Sequence, residues 1–378
     1  MSSKHFSVGI AGAGAFATFL AEALAPLPAF SLSAVAGHTP SKRDAVLAAY
    51  RKARPQAATP RQYDTAEALI GDPHVEIVLI VTPPATHAEF TAATLQAGKH
   101  AFVEKPGALS AAQLEQNRQL AASTGRALAV DLVMRHHPLT EAVQQLLSRC
   151  LVGEVEHVTL VNAVHHVKSG HWFWDKRQSG GIFTEHGVHF FEVARHWFGE
   201  AETASGSAQI DGQQEESRVW ATACHQAAGV PPVPVQYYHG FTRAQEVPEQ
   251  TEWRIETSLG RITLTGWIPE KLEIEAALTP AQIEAVDTLL QAIPQQPSPF
   301  LQAAVQEVGS SLQKVDDAGS PRWIQRTTIC ADRQGWYNAM VQARFLDLCR
   351  AIDDPGYEGL ITLQDAVADL ALAERCRV

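Results

Sequence analysis

Short apolar runs alternate with longer amphipathic stretches over about the first 130 residues of the chain. That alternation is typical of βαβ units, in which parallel strands form a sheet and helices cover its faces. Ser110 and Thr86 have the side-chain types that cap helix N-termini. The strands are predicted at residues 5–10, 31–36, 77–81, 100–103 and 127–132, and the helices are predicted to begin near Ala15, Pro40, Thr65, Thr86 and Ser110.

The pattern changes around residues 135–138, and the regular alternation does not continue beyond them, which indicates a domain boundary next to this segment. At ~150 residues per domain, a chain of this length is expected to form two. We therefore predict one domain over residues 1–133 and a second over residues 134–378. In the second, helices are predicted at 138–148, from the Gly180–Gly181 pair to 197, at 336–352 and at 363–376, and strands at 155–164, 219–224, 235–241, 252–257 and 261–265. Residues 279–319 mix helical patterning with Pro and Gln.

The end of the first predicted strand contains the motif G-x-G-x-x-A, formed by Gly12, Gly14 and Ala17. At a junction between a strand and a helix, the first glycine makes a tight turn and the second lets the backbone approach a pyrophosphate, while Ala17 permits close packing. The anion would lie on the helix N-terminus, near Ala15 and Phe16. The alternative is a tight turn that binds no ligand. The position of the motif at the first strand of a βαβ series favours a dinucleotide site.

The residues that follow the second predicted strand favour NADP over NAD. An enzyme that binds an unphosphorylated ribose usually has Asp or Glu at this point, roughly 20 residues after the glycines. Here the segment from Gly37 to Arg43 has no carboxylate. The alternative is that Lys42 and Arg43 are ordinary solvent-exposed residues in the first turn of a helix. The candidate ligands of a 2′-phosphate are His38, Thr39, Ser41, Lys42 and Arg43.

The composition excludes several classes of partner. The chain has 30 Lys and Arg against 41 Asp and Glu, a net charge of −11, so nucleic acids and anionic membranes are not expected partners, and a small molecule is. No apolar run reaches the roughly 20 residues of a membrane span. The five cysteines are scattered and include no C-x-x-C pair, which favours a reduced, cytoplasmic setting and gives no cysteine zinc site.

Three further segments follow the predicted strands in a fixed order. They read IVTPPATH at residues 80–87, AGKHAFVEKP at 97–106 and SGGIFTEHGVH at 179–189. Together with the glycine turn, they resemble the Gfo/Idh/MocA oxidoreductase family, which is named for glucose–fructose oxidoreductase and inositol dehydrogenase. The resemblance implies an α/β Rossmann dinucleotide-binding domain, followed by an α+β domain with an open, mostly antiparallel sheet.

The resemblance also implies roles for residues of the first domain. The triplet Glu104-Lys105-Pro106 looks like the family motif whose lysine lies beside the nicotinamide and the reacting hydroxyl or carbonyl, and whose Lys–Pro bond is often cis. The segment with Thr82, Pro83, Pro84 and His87 looks like the loop that covers the cofactor. Arg135 and Pro138 match the family's Arg-x-x-Pro entry into the second domain.

Glu185 and His189 match the family's acidic-x-x-x-His pair, although Asp is commoner at the first position. On an α-helix, residues i and i+4 lie on one face, so both side chains could point into one cleft. Histidine is suited to take the proton that hydride transfer from an alcohol leaves behind, and a lysine ammonium would stabilise charge on the reacting oxygen. We expect His189 to be the general acid or base, Lys105 its electrostatic partner or relay, and Glu185 a binder of substrate hydroxyls.

Nine of the sixteen histidines lie between His136 and His196. Three interpretations are open: ordinary polar positions, a cleft that binds a sugar or polyol, and a metal site. The cleft is favoured over a metal, because the spacing matches no helical metal motif. The candidate substrate-binding residues are Arg135, His165, His171, Trp172, Trp174 and His186.

The leading hypothesis for function is hydride transfer between NADP(H), or less favourably NAD(H), and one carbon of a sugar, inositol or related polyol. A second hypothesis is a redox-neutral hydrolase, lyase or epimerase that retains its cofactor and oxidises the substrate transiently, as some family members do. A third is a cofactor-dependent sensor without catalysis, which the presence of both Lys105 and His189 disfavours. The resemblance also implies a homodimer or homotetramer, formed through the open sheet of the second domain.

Overall fold

The chain folds into two compact units that interleave along the sequence. A computed structural model describes residues 4–212, 215–227, 229–293, 305–315 and 322–377. The first unit contains the residues up to Val133 together with Trp172–Val188 and Met340–Glu374, and the second unit contains the rest. The sequence pattern instead predicted two consecutive domains, because a return of the chain to its first unit leaves no mark on local hydrophobic periodicity.

The first unit is built on a parallel sheet of six strands in the order β3-β2-β1-β4-β5-β6. This is the doubly wound order in which ligands bind at the carboxyl ends of the strands, where the order reverses between β1 and β4. The predicted Rossmann architecture is therefore confirmed. The elements are β1 (Phe6–Ala11), α1 (Ala15–Leu24), β2 (Phe30–Ala36), α2 (Pro40–Ala53), β3 (Arg61–Tyr63), α3 (Ala66–Ile70), β4 (Ile77–Ile80), α4 (His87–Gln96), β5 (His100–Val103), α5 (Ala111–Thr124) and β6 (Leu128–Val130).

The predicted helix starts agree with these elements, and one of the two predicted caps is confirmed. The Ser110 hydroxyl accepts a hydrogen bond from the backbone N–H of Gln113 and caps α5. The prediction for Thr86 was wrong: its side chain accepts no capping bond from α4, and its hydroxyl donates to the carbonyl of Pro83. The three-residue strand β3 was also missed, since it shows no apolar alternation.

A helix from the far end of the chain completes the core of the first unit. Phe345 lies on α10 (Arg333–Asp353) and is fully buried. Its ring packs edge-on against Phe30 of β2 and Phe102 of β5, with ring centres 5.6 and 6.1 Å apart. The last helix, α11 (Leu363–Cys376), matches its predicted bounds. The first unit therefore depends on residues more than 200 positions downstream of its own sheet.

The second unit is built on an open sheet of nine strands in the order β14-β15-β13-β12-β11-β7-β10-β9-β8. Only β7 and β10 pair in parallel, so the predicted open, mostly antiparallel sheet is confirmed. Two helices come between β7 and β8 along the chain. α7 (Lys176–Ser179) belongs to the first unit, and α8 (Val188–Phe198) begins in the first unit and continues in the second. The remaining elements are α6 (Pro138–Ser148), β7 (Val155–His165), β8 (Glu200–Ile210), β9 (Glu216–Gln226), β10 (Val233–Arg243), β11 (Gln250–Thr257), β12 (Gly260–Thr265), β13 (Lys271–Leu278), α9 (Pro280–Ala292), β14 (Val305–Val315) and β15 (Arg322–Ala331).

Four of these nine strands were not predicted. β8 reads EAETASGSAQI, in which small and polar residues carry no alternation. In β13, apolar and polar residues alternate as KLEIEAAL, a pattern that is typical of a strand. The segment 279–319, which showed mixed patterning, contains α9 and β14, and its residues 294–304 and 316–319 lie outside the described residues. Among the residues described, we find no helix that is both long and apolar enough to cross a bilayer.

Candidate active site

The two glycines of the turn between β1 and α1 differ in what surrounds them. Gly12 has a φ of +113°, and a Cβ added there would lie 2.6 Å from the carbonyl oxygen of Val81. Only glycine fits, because the turn packs directly against the end of the neighbouring strand. A Cβ added at Gly14 would meet no atom within 4 Å. The structure thus requires glycine at Gly12, whereas at Gly14 it leaves open space beside the turn.

The helix N-terminus that follows Gly14 is suited to an anion. No side chain caps α1, and no acidic residue lies in its first turn, so its first N–H groups face no competing carboxylate. The end of β2 approaches the same turn, since a Cβ on Gly37 would lie 2.8 Å from the Cβ of Ala13. Open space at Gly14 and an uncapped helix end fit the pyrophosphate of a dinucleotide.

The residues predicted to bind a 2′-phosphate have different surroundings. Arg43 is buried, and its guanidinium donates to the carbonyl of Gly37, to Oε1 of Gln62 at 3.0 Å and to Oδ1 of Asp64 at 2.8 Å. Its contacts fix the end of β2. Ser41 and Lys42 are exposed in the first turn of α2, and the Thr39 side chain makes no capping bond to that helix.

Lys105 lies two residues beyond β5 and directly precedes a cis peptide bond to Pro106, as the resemblance implies. Its Nζ donates to the backbone carbonyl of Glu185 at 2.8 Å and to the Oε1 of the same residue at 2.9 Å. The Lys105 and Glu185 side chains are 10 and 14% exposed. Burial alone would lower the pKa of Lys105, but the carboxylates of Glu185 and Glu104 outweigh it and raise that pKa. The site therefore holds a charged ammonium.

Two neighbouring acidic residues, Glu104 and Asp131, lie close to this lysine. Glu104 and Asp131 directly follow Val103 and Val130, which are paired between β5 and β6. Burial raises the pKa of Glu104 well above its usual range, and burial raises the pKa of Asp131 to about 7. Two buried carboxyl groups side by side cannot both ionise cheaply, so the pair retains a proton to near neutral pH.

Arg344 of α10 is the cation that faces this acidic pair. It is buried, its Nε donates to the carbonyl of Val130 at 2.8 Å, and its charge lowers the pKa of Asp131 against the larger effect of burial. Sequence reasoning singled out neither Asp131 nor Arg344. The signal for Asp131 in the sequence is an acidic residue directly after a predicted strand. Its proximity to Glu104 follows only when β5 and β6 are known to be neighbouring strands.

His87 supports the loop after β4 from within. The side chain is fully buried, with Nδ1 2.7 Å from the carbonyl oxygen of Pro106 and Nε2 2.7 Å from that of Thr82. Burial lowers its pKa although both carbonyls oppose this, and a neutral ring can donate to only one of them at a time. His87 thus connects the Pro83–Pro84 turn, in which Pro84 is buried, to the residue after Lys105.

The segment that supplies Glu185 is a π-helix over Phe183–Gly187, which leads directly into α8. Gly180 and Gly181 precede it with φ of +80° and +86°. A π turn closes its bonds between residues five apart. The prediction placed Glu185 and His189 one turn apart on a single α-helix, whereas Glu185 lies in the π segment and His189 in α8. The Glu185 carboxylate contacts Lys105.

His186 lies beside the lysine as well. Burial, together with the Lys105 ammonium, lowers the pKa of His186 to about 3, so the ring is neutral at physiological pH. Trp172 and Trp174 belong to the same unit and lie on a short 3₁₀ turn, in which the Phe173 and Trp174 rings meet edge-on at 4.9 Å. The first unit thus brings Lys105, Glu185 and His186 together, and it also contains both tryptophans.

The other predicted site residues belong to the second unit. His189 is buried at the start of α8, where its ring packs edge-on against that of Trp267 at 5.5 Å. Arg135 forms a buried ion pair with Glu192, an acidic residue within the apolar helix α8 that was not singled out from sequence. His171 is exposed, and His165 lies near Glu249, with Nδ1 and Oε1 3.4 Å apart.

Comparison with known proteins shows that the chain belongs to the Gfo/Idh/MocA family. Residues 6–132 match the profile described as an oxidoreductase family with an NAD-binding Rossmann fold, and residues 140–263 match the GFO/IDH/MocA C-terminal domain. This confirms the family resemblance from the sequence motifs.

The individual relatives have low sequence identity to this chain and match only part of it. Inositol 2-dehydrogenase of Rhizobium meliloti (strain 1021) is 30% identical over 54% of this chain and 59% of its own length. The NAD(+)-dependent scyllo-inositol 2-dehydrogenase of Bacillus subtilis (strain 168) is 26% identical over 38% of this chain and 41% of its own. The matches thus span about two fifths to three fifths of these curated relatives.

A solved structure shares the fold over nearly the whole chain. Biliverdin reductase of Synechocystis sp. PCC 6803, in complex with biliverdin and NADP+, superposes with a TM-score of 0.68 at 19% identity, covering 98% of this chain and 99% of that one. At this identity the likeness shows the fold alone. Because relatives on this scaffold use either NAD or NADP, the family does not decide the cofactor.

The glycine turn yields a prediction with a matched pair of variants. Gly14→Ala places a methyl group in open space, so the melting temperature of the cofactor-free protein should stay unchanged while the affinity for a nicotinamide dinucleotide falls. Gly12→Ala should lower the melting temperature, because its Cβ would meet the backbone of Val81. Thermal melting and fluorescence titration with NADPH measure the two effects. Unaltered NADPH affinity in a folded Gly14→Ala protein would contradict a pyrophosphate site at this turn.

The acidic pair predicts how stability depends on pH. The pKa of Asp131 is about 7 in the folded chain against an ordinary 3.8, so the native state keeps a proton that the unfolded chain has released. The free energy of unfolding should therefore fall as pH rises from about 4 to about 7, with a smaller fall in Asp131→Asn. Urea unfolding at a series of pH values tests this, and an identical slope in the variant would refute it.

Proposed function

We propose that the protein is an NADP(H)-dependent dehydrogenase that transfers hydride between the nicotinamide and a CH–OH carbon of a sugar, inositol or related polyol. The observation that carries this proposal is the buried, charged Lys105, which lies beyond the carboxyl end of β5 with its Nζ 2.9 Å from Glu185. In a doubly wound sheet, that edge is where dinucleotides bind.

The open space at Gly14 and the uncapped N-terminus of α1 fit a dinucleotide, which would be held there by backbone N–H groups. When bound, its nicotinamide supplies the hydride acceptor or donor. In this proposal the Pro83–Pro84 turn covers the cofactor, Thr82 contributes to the same loop, and His87 fixes that loop from beneath.

Lys105 stabilises negative charge on the reacting oxygen. A preorganised ammonium in a water-poor site is effective in this role because it needs little reorganisation during the reaction. Glu185 holds the ammonium in place through its carboxylate and its backbone carbonyl. The same carboxylate has lone pairs left to accept hydrogen bonds from substrate hydroxyls.

Hydride transfer from an alcohol also requires removal of the hydroxyl proton. We assign this proton to His189, whose ring is held by Trp267 at the start of α8. Histidine is the side chain with an ordinary pKa nearest to neutrality. His186 is unsuited to that task, because a pKa of about 3 makes its ring a poor base. It can bind a substrate hydroxyl as a neutral partner.

A polyol substrate is supported by the polar and aromatic groups predicted along the substrate side. Imidazoles bind hydroxyl groups, and indole rings pack against the C–H face of a sugar ring. Two relatives are named inositol dehydrogenases. On this basis we assign substrate contacts to Arg135, His165, His171, Trp172, Trp174 and His186.

The preference for NADP is supported by the segment after β2. No carboxylate lies between Gly37 and Arg43 to repel a 2′-phosphate. Lys42 is exposed and free of any salt bridge in the described residues. We therefore assign the 2′-phosphate to Lys42, with Thr39, Ser41 and His38 as hydrogen-bonding partners, and assign Arg43 to fixing the segment.

A cytoplasmic homodimer or homotetramer completes the proposal. All five cysteines are unpaired, as expected in a reducing compartment. Trp220, on β9, is 44% exposed, which leaves a large aromatic ring for a second copy to cover.

Replacement of Lys105 tests the reaction. Lys105→Ala should lower turnover by roughly a hundredfold to ten-thousandfold, a range typical for loss of a positioned acid–base or charge-stabilising group. Turnover is followed at the reduced-nicotinamide band with a panel of inositols and sugars, and NADPH affinity by fluorescence titration. Lys271→Ala is the matched control, since it removes a lysine whose Nζ is also 2.9 Å from a carboxylate, that of Glu273, on the second sheet.

Two outcomes would count against the proposed reaction. Unchanged turnover in Lys105→Ala would remove that lysine from the chemistry. Product formed without net absorbance change, by protein that co-purifies with its cofactor, would indicate the redox-neutral alternative instead.

Replacement of Lys42 tests the cofactor preference. Lys42→Ala should weaken NADP binding by roughly 10- to 150-fold and leave NAD binding unchanged, because a hydrogen bond to a charged group contributes about 1.5–3 kcal/mol. Lys52→Ala serves as the control in the last turn of the same helix, where that side chain is 79% exposed. Equal losses for both dinucleotides would exclude a contact to the 2′-phosphate.

A further inference from the structure

One cluster of metal-ligating side chains lies apart from the residues assigned to the chemistry. Its members are His166, Asp211 and Glu215 of the second unit. Each offers one ligand atom, a ring nitrogen or a carboxylate oxygen, and these three atoms all lie within 4.8 Å of one another. The function proposed above uses none of them.

The fold of the second sheet brings these residues together. His166 follows the last residue of β7, and its backbone N–H donates to the carbonyl of Arg243, at the end of the parallel strand β10. β9 runs antiparallel to β10, so the turn from β8 to β9 lies at the same end of the sheet. Asp211 and Glu215 flank that turn.

The turn itself is held by its own hydrogen bonds. The backbone N–H of Asp211 donates to the carbonyl of Glu215 at 2.9 Å, and the N–H of Glu215 donates to Oδ1 of Asp211 at 3.1 Å. These bonds fix the Asp211 carboxylate and the backbone of Glu215 at the base of the turn. The Nε2 of His166 lies 3.0 Å from Oε2 of Glu215, whose side chain is only 9% exposed.

The charge of the cluster suits a cation. Two carboxylates at this spacing repel each other, and one of them is withdrawn from water. Arg243, a cation at the same strand end, directs its guanidinium to the carbonyl of Pro248 and to Gln250. The imidazole of His166 supplies a nitrogen ligand.

We propose that His166, Asp211 and Glu215 bind a divalent transition-metal ion. One imidazole nitrogen with two carboxylate oxygens suits Zn²⁺ and its neighbours in the first transition row, whereas Ca²⁺ and Mg²⁺ take oxygen ligands. Three protein ligands leave a further coordination position for water or another ligand. The ion would fasten the segment after β7 to the turn between β8 and β9.

A histidine–glutamate pair at the same end of β7 lacks the second carboxylate that the cluster has. His165 and Glu249 also meet at the end of β7, with Nδ1 and Oε1 3.4 Å apart. That pair has a single carboxylate, and no third ligand groups with it among the described residues. Glu249 therefore provides a matched control for Glu215, because each is a glutamate in contact with a histidine at the same strand end.

The test measures Zn²⁺ binding to the full-length protein, without an affinity tag and after removal of metals with EDTA. Calorimetric titration should show one Zn²⁺ per chain, and the ion should raise the melting temperature, because a ligand that binds only the folded state stabilises it. Glu215→Gln and Asp211→Asn, which keep the shape of each side chain, should lose this binding and this rise. Glu249→Gln and His157→Ala should retain both.

The variants separate the metal site from a simple hydrogen bond. Glu215→Gln can still accept a hydrogen bond from His166, so circular dichroism should show it folded, and loss of Zn²⁺ binding then reports on the ligand set. Absence of Zn²⁺ binding in the unaltered protein would overturn the proposal and leave only a hydrogen-bonded His–Glu pair. Binding that survives in Glu215→Gln and Asp211→Asn would overturn it equally, by placing the ion elsewhere.

Discussion

The placement of a buried ammonium at Lys105 is the constraint on which the rest of the site depends. Taking a charge out of water is costly unless it is paired and hydrogen-bonded. Glu185 provides both a carboxylate and a backbone carbonyl for this purpose. The π turn carries Glu185, and the segment that follows β5 carries Lys105. The contact therefore joins two parts of the chain that are 80 positions apart.

The same constraint extends into the sheet. The carboxyl ends of β5 and β6 place Glu104 and Asp131 side by side, and α10 contributes Arg344 to that corner. Acidic and basic groups therefore alternate, from Glu185 to Lys105, then to the pair of Glu104 and Asp131, and then to Arg344. The acidic pair retains a proton. Such an arrangement keeps the ammonium charged near neutral pH without leaving a surplus of buried negative charge.

Local signals were sufficient to predict five of the six strands of the first sheet, because most βαβ units have their own apolar runs and their own turn. The glycine turn and Lys105 could likewise be located, since each lies in a short motif at a strand end. Asp131 could not, because its importance comes from a neighbour on another strand. Arg43 was predicted as a cofactor ligand because of its charge, and only the structure shows that Gln62 and Asp64 occupy its guanidinium. The π turn escaped prediction as well, since its sequence is compatible with an ordinary helix.

The burial of Phe345 between Phe30 and Phe102 bears on how the chain can be synthesised and divided. A fragment that ends at residue 133 has the complete parallel sheet, yet it lacks the aromatic ring that fills its core and the arginine that faces its acidic corner. Such a fragment is therefore expected to be less stable than the same sheet in a chain that includes α10. During translation, the core of the first unit can be completed only after α10 has been synthesised, more than 200 residues after the last strand of its sheet.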